Sequence, residues 1–207
     1  MVATADSVIV GAGIMGASTA YHLARRGYGR IVVLERGAVC SGSTALASGG
    51  IRHQYANRIG IELTRQSIRV YSAALQRALG VDTRVLAPDD VRALCPYLWT
   101  GDLASATYSP RDGFADPYLV TTAIAARARD LGVVIEPDRE VTGFTRGRRG
   151  ATVIAGFSGH GFMHGPIAGQ LMAELVADRR AHTVDIAPLD LDRFRRGETP
   201  VEVMTFV

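Results

Sequence analysis

Apolar positions along this chain follow two periods. Short unbroken apolar runs at Ser7–Val10, Ile31–Leu34 and Val133–Glu136 predict buried strands, of the kind that parallel sheets covered on both faces require. Between them apolar residues recur at helical spacing. A first helix over Ile14–Arg26 presents Ala17, Ala20 and Ala24 along one stripe and stops at Gly27. A long one over Arg58–Leu79 aligns Ile61, Thr64, Ile68, Tyr71, Leu75 and Leu79, and Gly80 ends it. Asp89–Leu94, after Pro88, predicts a short helix. Asp116–Pro117 is a start signal, with aspartate as cap and proline at the first helical position; Val120, Ile124, Ala128 and Leu131 make its stripe, and Gly132 terminates it. Pro166 opens a last helix with Ile167, Leu171, Met172 and Leu175 inward. Further strands are expected at Ser105–Tyr108, Glu140–Phe144 and Ala151–Ala155. The alternation predicts an α/β fold, a Rossmann-like parallel sheet with helices on both faces.

Between the first strand and first helix lie Gly11, Gly13 and Gly16, spaced Gly-x-Gly-x-x-Gly. The first permits a tight turn, the second lets backbone approach a pyrophosphate, and the third lets the helix lie close to the strands. The helix N-terminus offers unbonded N–H groups and a positive dipole end. Glu35 closes the second strand, where an acid can take a ribose 2′-hydroxyl. Strand, turn, helix, strand and acid in this order predict dinucleotide binding. The bland alternative is a glycine-rich turn arising by chance.

Composition narrows the field without redirecting it. The 207 residues suit one domain or two small ones. A net charge of +3, with basic residues dispersed apart from Arg146–Arg149, argues against nucleic acid. No apolar run is long enough to span a bilayer. The N-terminus carries no basic segment followed by an apolar one, so no signal peptide is expected. Cys40 and Cys95 lack metal or redox spacing and fit reduced thiols of a cytoplasmic protein.

Two more segments are rich in small residues. Cys40–Gly50 (CSGSTALASGG) suits backbone wrapped around a ligand, or else a surface loop. Gly156–Gly165 (GFSGHGFMHG) is a second glycine loop before a helix, whose N-terminus again offers a positive end. A serine-hydrolase elbow fails here, because His160 stands where its second glycine is needed. His160 and His164 share the i, i+4 spacing of a metal pair, but no carboxylate or cysteine lies nearby and the glycines are expected to break the helix. A tight strand–helix turn with incidental glycines is the remaining alternative.

Taken in order, the glycine fingerprint with Glu35, GSTALASGGIRHQY (42–55), SPRDGFADPYLV (109–120) and GFSGHGFMHGP (156–166) resemble the D-amino-acid-oxidase superfamily. The branch resembled is that of the sarcosine oxidase β-subunit and dimethylglycine dehydrogenase. The resemblance implies bound FAD and oxidation of the C–N bond of a small amine or N-methyl amino acid, hydride passing to flavin N5 and water hydrolysing the imine. It implies cofactor contacts from Gly11, Ala12, Gly13, Ile14, Met15 and Gly16 to the pyrophosphate. Glu35 and Arg36 serve the adenosine, with Val141 as a backbone contact to adenine. Ser43, Thr44, Ser48, Gly49 and Gly50 line the ribityl and ring edge. Gly159, His160, Gly161, Phe162 and Met163 form the loop over the pyrimidine end. There a helix N-terminus favours the charge of the reduced ring. Arg52 falls where such enzymes grip a substrate carboxylate, for which a guanidinium's paired N–H bonds are suited; a surface or phosphate-contacting arginine is the alternative. His53, Tyr55 and His160 are further catalytic candidates; for His160 the alternative is a hydrogen-bond former within the loop.

Three departures qualify the resemblance. Met163 stands in place of a lysine that helps hold the carboxylate. Leu46 stands in place of the histidine that attaches flavin covalently, so FAD is expected to be non-covalent. Residues 145–152 replace a long segment carrying most of the substrate sheet. The implied organisation is an FAD-binding domain from 1–80 and 114–190, a reduced substrate region at 81–113 and a tail from 191. A site without that segment would be open to water, which makes a homo-oligomer or a partner subunit the means of closing it. No metal, membrane or nucleic-acid partner is expected. A compact FAD-binding module without amine turnover and an unrelated NAD enzyme are the competing readings.

Overall fold

The computed structural model describes residues 4–52, 58–71, 84–110, 112–145, 151–157 and 159–198. Its centre is a parallel sheet of β1 (Ser7–Val10), β2 (Ile31–Leu34) and β7 (Val134–Glu136), in the order β1-β2-β7. Val8 pairs with Val32, and Val32 with Val134. Helix α1 (Ile14–Arg25) connects β1 to β2, and α4 (Pro117–Asp130) leads into β7. Leu23, Ile31, Val33, Ala125, Ala128 and Ile135 form the core between sheet and helices.

The apolar strands are not covered equally. On the opposite face Val8, Val10 and Val134 remain 55%, 53% and 41% exposed. The second covering layer expected from Ile31–Leu34 is absent among the described elements.

Local signals set several boundaries. Asp116 Oδ1 accepts hydrogen bonds from the Tyr118 and Leu119 amides at 2.8 and 2.9 Å, and Pro117 follows as the first residue of α4. Pro88 likewise opens α3 (Pro88–Leu94). Helix α2 is described over Arg58–Tyr71, where Leu63, Thr64 and Ser67 are buried; the expected continuation through Leu79 lies outside the described residues.

Four expectations need correction. Helix α5 spans Gly161–Asp178, so it begins five residues before Pro166, which is its sixth residue. There the proline ring costs the N–H that would reach the Phe162 carbonyl, and the helix continues. The glycines therefore do not break it. Gly161, Gly165 and Gly169 lie one helical turn apart and face α1. A Cβ at Gly165 would sit 2.4 Å from Ile14, and one at Gly169 would sit 2.4 Å from the Ser18 Cβ. Ser18 Oγ donates to the Pro166 carbonyl at 2.9 Å across this contact.

Residues 151–155 form no strand: they run as irregular backbone, with Val153 81% exposed and, among the described residues, no strand paired with them. Residues 140–144 are irregular too, with Phe144 exposed. Finally, part of the small-residue block is a strand. β3 (Gly50–Ile51) pairs antiparallel with β6 (Gly113–Phe114), while β4 (Arg84–Leu86) pairs with β5 (Ala106–Tyr108).

Candidate functional site

The glycine turn sits at the C-terminal end of the parallel sheet. Gly11 has φ +98°, and its amide donates to the Leu34 carbonyl at 2.8 Å, tying the turn to β2. Gly16 packs so closely that a Cβ there would lie 1.9 Å from the Gly11 carbonyl oxygen. Gly13 is the N-cap of α1, with extended backbone and no side-chain cap.

Glu35 reaches back to this turn. Its Oε2 accepts from the Ala12 amide at 2.7 Å and its Oε1 from the Gly37 amide at 3.0 Å. Both oxygens are oriented by backbone of the turn and of the β2 exit. Arg139 donates its amide to the Glu35 carbonyl at 2.8 Å, bringing the chain after β7 to the same end. Arg36 is exposed and Val141 half-buried nearby in sequence.

The small-residue block folds over the first turn of α1. The Cys40 amide donates to the Ala12 carbonyl at 3.1 Å, and Thr44 Oγ1 accepts from the Ile14 amide at 3.2 Å. Successive turns carry Ser43, Thr44 and Leu46, and Ser43, Leu46 and Ser48 are exposed. Gly49 has φ +75°, and a Cβ there would lie 2.3 Å from the Ala115 carbonyl oxygen. Its own carbonyl accepts from the Ala115 amide at 2.9 Å, and this locks the block to the start of α4.

The second glycine loop arrives at the same place. Gly159 has φ +87°, and the His160 amide donates to the Phe157 carbonyl at 2.8 Å, a turn that delivers α5. Phe162 is buried against Ile14 of α1 and Ile51 of β3. Gly161 approaches Met15. Arg52, next after β3, is fastened to α5 twice. Its amide donates to Met163 Sδ at 3.1 Å, and its Nη2 lies 3.0 Å from His160 Nε2. One turn further on, buried His164 meets the Thr64 hydroxyl of α2 at 3.1 Å. Burial, with His160 adding to it, lowers the His164 pKa to about 4, so its ring is neutral at pH 7.

The structure thus gathers Gly11–Gly16, Glu35, Ser43–Arg52 and Gly159–Met163 around the first turns of α1 and α5. His53 and Tyr55 lie outside the described residues. Among the described residues no group of three or more histidine, cysteine, aspartate or glutamate side chains could hold a metal ion, and no helix is long and apolar enough to cross a membrane.

A family model described as FAD dependent oxidoreductase (DAO) matches residues 6–77 and 62–155. The chain belongs to this family. The match covers the glycine turn, the small-residue block and α4, and stops before the second glycine loop. Sarcosine oxidase subunit beta from Arthrobacter sp is 32% identical over 182 residues, covering 68% of this chain and 44% of that protein. The mitochondrial pyruvate dehydrogenase phosphatase regulatory subunit of Mus musculus is 31% identical over 166 residues, covering 64% of this chain and 19% of that protein. The chain therefore spans less than half the length of these relatives. A crystal structure of L-proline dehydrogenase from P. horikoshii superposes with a TM-score of 0.84 at 18% identity, covering 95% of this chain and 99% of that one. This likeness shows the shared fold. The α/β class and the resemblance to the sarcosine oxidase β-subunit branch are borne out.

Sequence reasoning missed the pairing of Arg52 with His160, since the two are 108 residues apart. The sole signal was that each lies in or next to a segment rich in small residues. It also counted Gly165 into the second glycine loop, whereas Gly165 lies inside α5 and, with Gly169, admits α1.

Proposed function

We propose that the chain binds FAD non-covalently and serves an oxidoreductase acting on the C–N bond of a small amine or N-methyl amino acid. The observation that carries this reading is the convergence of the glycine turn, Glu35, the 43–52 block and the start of α5 on one place. The residues fit the cofactor. Gly13 leaves a space beside the Ile14 amide that a Cβ would fill, 2.9 Å from Thr44 Oγ1, as close approach of a pyrophosphate requires. Gly11–Gly16 and the α1 N-terminus would hold the pyrophosphate, Glu35 and Arg36 the adenosine, and Ser43–Gly50 with Gly159–Met163 the flavin end. Bound flavin supplies the two-electron acceptor for amine oxidation. Arg52 binds and orients a substrate carboxylate through its guanidinium. The N-terminus of α5 presents backbone N–H groups toward negative charge. Leu46, 87% exposed, offers no attachment atom for flavin.

Anaerobic mixing of the flavin-loaded protein with sarcosine or dimethylglycine is expected to bleach the flavin band. Acid precipitation is expected to leave the flavin in the supernatant. Flavin that stays with the precipitate rules out non-covalent binding. A protein that binds flavin but stays yellow with every amine supports a second reading, a flavin-binding module without turnover of its own. That reading draws on the likeness to a protein described as a regulatory subunit. In either case we propose that a partner subunit or a second copy completes the enclosure of the site.

A further inference from the structure

We propose that His160 is a positioning residue that holds Arg52 ready for a substrate carboxylate. The inference rests on the carboxylate-binding reading of Arg52 given above.

The chemistry of the pair allows one polarity. A guanidinium carries five donors, has no acceptor and stays protonated in proteins. At 3.0 Å, Arg52 Nη2 therefore donates and His160 Nε2 accepts. Nε2 can accept only if it carries no proton, so His160 is neutral with its hydrogen on Nδ1. The tautomer follows from the partner.

The geometry makes this more than a surface contact. Arg52 lies at the end of β3, and His160 is the N-cap of α5. The Arg52 amide is bound separately to Met163 Sδ, three residues along the same helix. Main chain and side chain are thus both fixed to the opening turn of α5, which Phe162 in turn seats against Ile14 and Ile51. The next ring along the helix, His164, is neutral and buried, so it adds no competing positive charge. An arginine without such a tether samples many rotamers and must be ordered when a ligand binds. His160 meets that cost beforehand, in the folded protein.

The test compares wild type, His160→Leu and His160→Gln, all flavin-loaded, titrated with acetate and propionate while the flavin absorption spectrum is followed. His160→Leu is expected to raise the dissociation constant about tenfold, the effect of losing one hydrogen bond to a charged group, read on the fraction of the variant that carries flavin. His160→Gln keeps an acceptor oxygen and is expected to recover most of the affinity. The ¹⁵N spectrum of wild-type His160 is expected to show a protonated Nδ1 and an unprotonated Nε2. An unchanged dissociation constant in His160→Leu, a glutamine no better than leucine, or a protonated Nε2 each overturns the proposal. The spectrum is read on wild type, so a variant that fails to fold leaves the question decidable. Arg52→Ala separates the two levels. If it leaves carboxylate affinity intact, the reading of Arg52 itself falls. If it weakens binding while His160→Leu does not, only the positioning role falls.

Discussion

Gly13→Val is expected to empty the protein of flavin while leaving it folded. Gly13 has φ −73° and ψ −175°, an extended conformation open to any residue, so valine imposes no backbone strain. What it changes is space. A Cβ would lie 2.9 Å from Thr44 Oγ1 and nothing else within 3.4 Å. Thr44 can yield by a few tenths of an ångström at a cost of about 1 kcal/mol, which for a chain of this size shifts Tm by roughly 2–4 °C. The branched methyls, however, fill the space beside Thr44 at the first turn of α1, where the helix N-terminus would receive a phosphate. The FAD dissociation constant is expected to rise about tenfold or more, a penalty of about 1.4 kcal/mol or larger, and the flavin-to-protein absorbance ratio after desalting to fall with it. A melting curve near that of the apo wild type confirms the fold. Flavin retained in the folded variant would remove the pyrophosphate from this turn. Gly16 cannot separate these effects, because its Cβ would lie 1.9 Å from the Gly11 carbonyl oxygen and the turn itself must open.

The parts of the fold that could be read in the sequence are those fixed by neighbours in the chain. The β1–turn–α1–β2 unit is one: Gly16 packs on Gly11, the Gly11 amide donates to the Leu34 carbonyl at 2.8 Å, and the Glu35 carboxylate accepts from the Ala12 and Gly37 amides at 2.7 and 3.0 Å. The Asp116–Pro117 start of α4 is another, a cap whose chemistry spans three residues. Contacts between distant segments were not legible. β3 and β6 pair over two residues each and lie more than 60 positions apart, too short for any period to register. Glycine presented a deeper ambiguity. The same missing Cβ admits a phosphate at Gly13 and a helix at Gly165 and Gly169, and sequence alone cannot tell which body approaches. Residues 151–155 fail for the opposite reason. Their apolar, β-branched character is real, but strand formation needs a partner edge, and none adjoins them among the described residues.

The candidate site divides along the same line. Its cofactor half follows the fingerprint, whereas the Arg52–His160 pair depends on how β3 meets α5. Glu174 is the clearest case of a residue hidden by its type. In the run Leu171–Val176 it looks like a surface acid, yet it is 1% exposed. Its Oε2 accepts from the His182 and Thr183 amides at 2.6 and 3.0 Å, and its Oε1 from the Gln170 amide nitrogen at 3.1 Å and from the Thr183 hydroxyl. It clamps the segment after α5, whose Val184 packs beside Ile167 and Leu171.

That clamp predicts how the protein fails in acid. Burial alone pushes the Glu174 carboxyl up, but the hydrogen bonds from Thr183, His182 and Gln170 outweigh it and bring the pKa to about 2, from an ordinary 4.5. A folded-state value below the unfolded one means that the unfolded chain binds the proton first. The stabilisation is therefore complete above pH 4.5 and is lost as pH falls toward 2. The shift corresponds to about 3 kcal/mol. His22 and His164 act in a separate window. Burial, joined by Arg25 for His22 and by His160 for His164, lowers both to about 4 from 6.5, so their effect erodes stability as pH falls from 6.5 to 4. Glu174→Gln isolates the lower window. It keeps the shape but removes the charge and turns one acceptor into a donor facing donors, which costs about 2–3 kcal/mol at pH 7. Urea unfolding at pH 7, 4.5 and 3 is expected to show wild type and variant diverging at pH 7 and converging at pH 3. A gap that stays constant across all three pH values would mean that the Glu174 charge does not stabilise the fold.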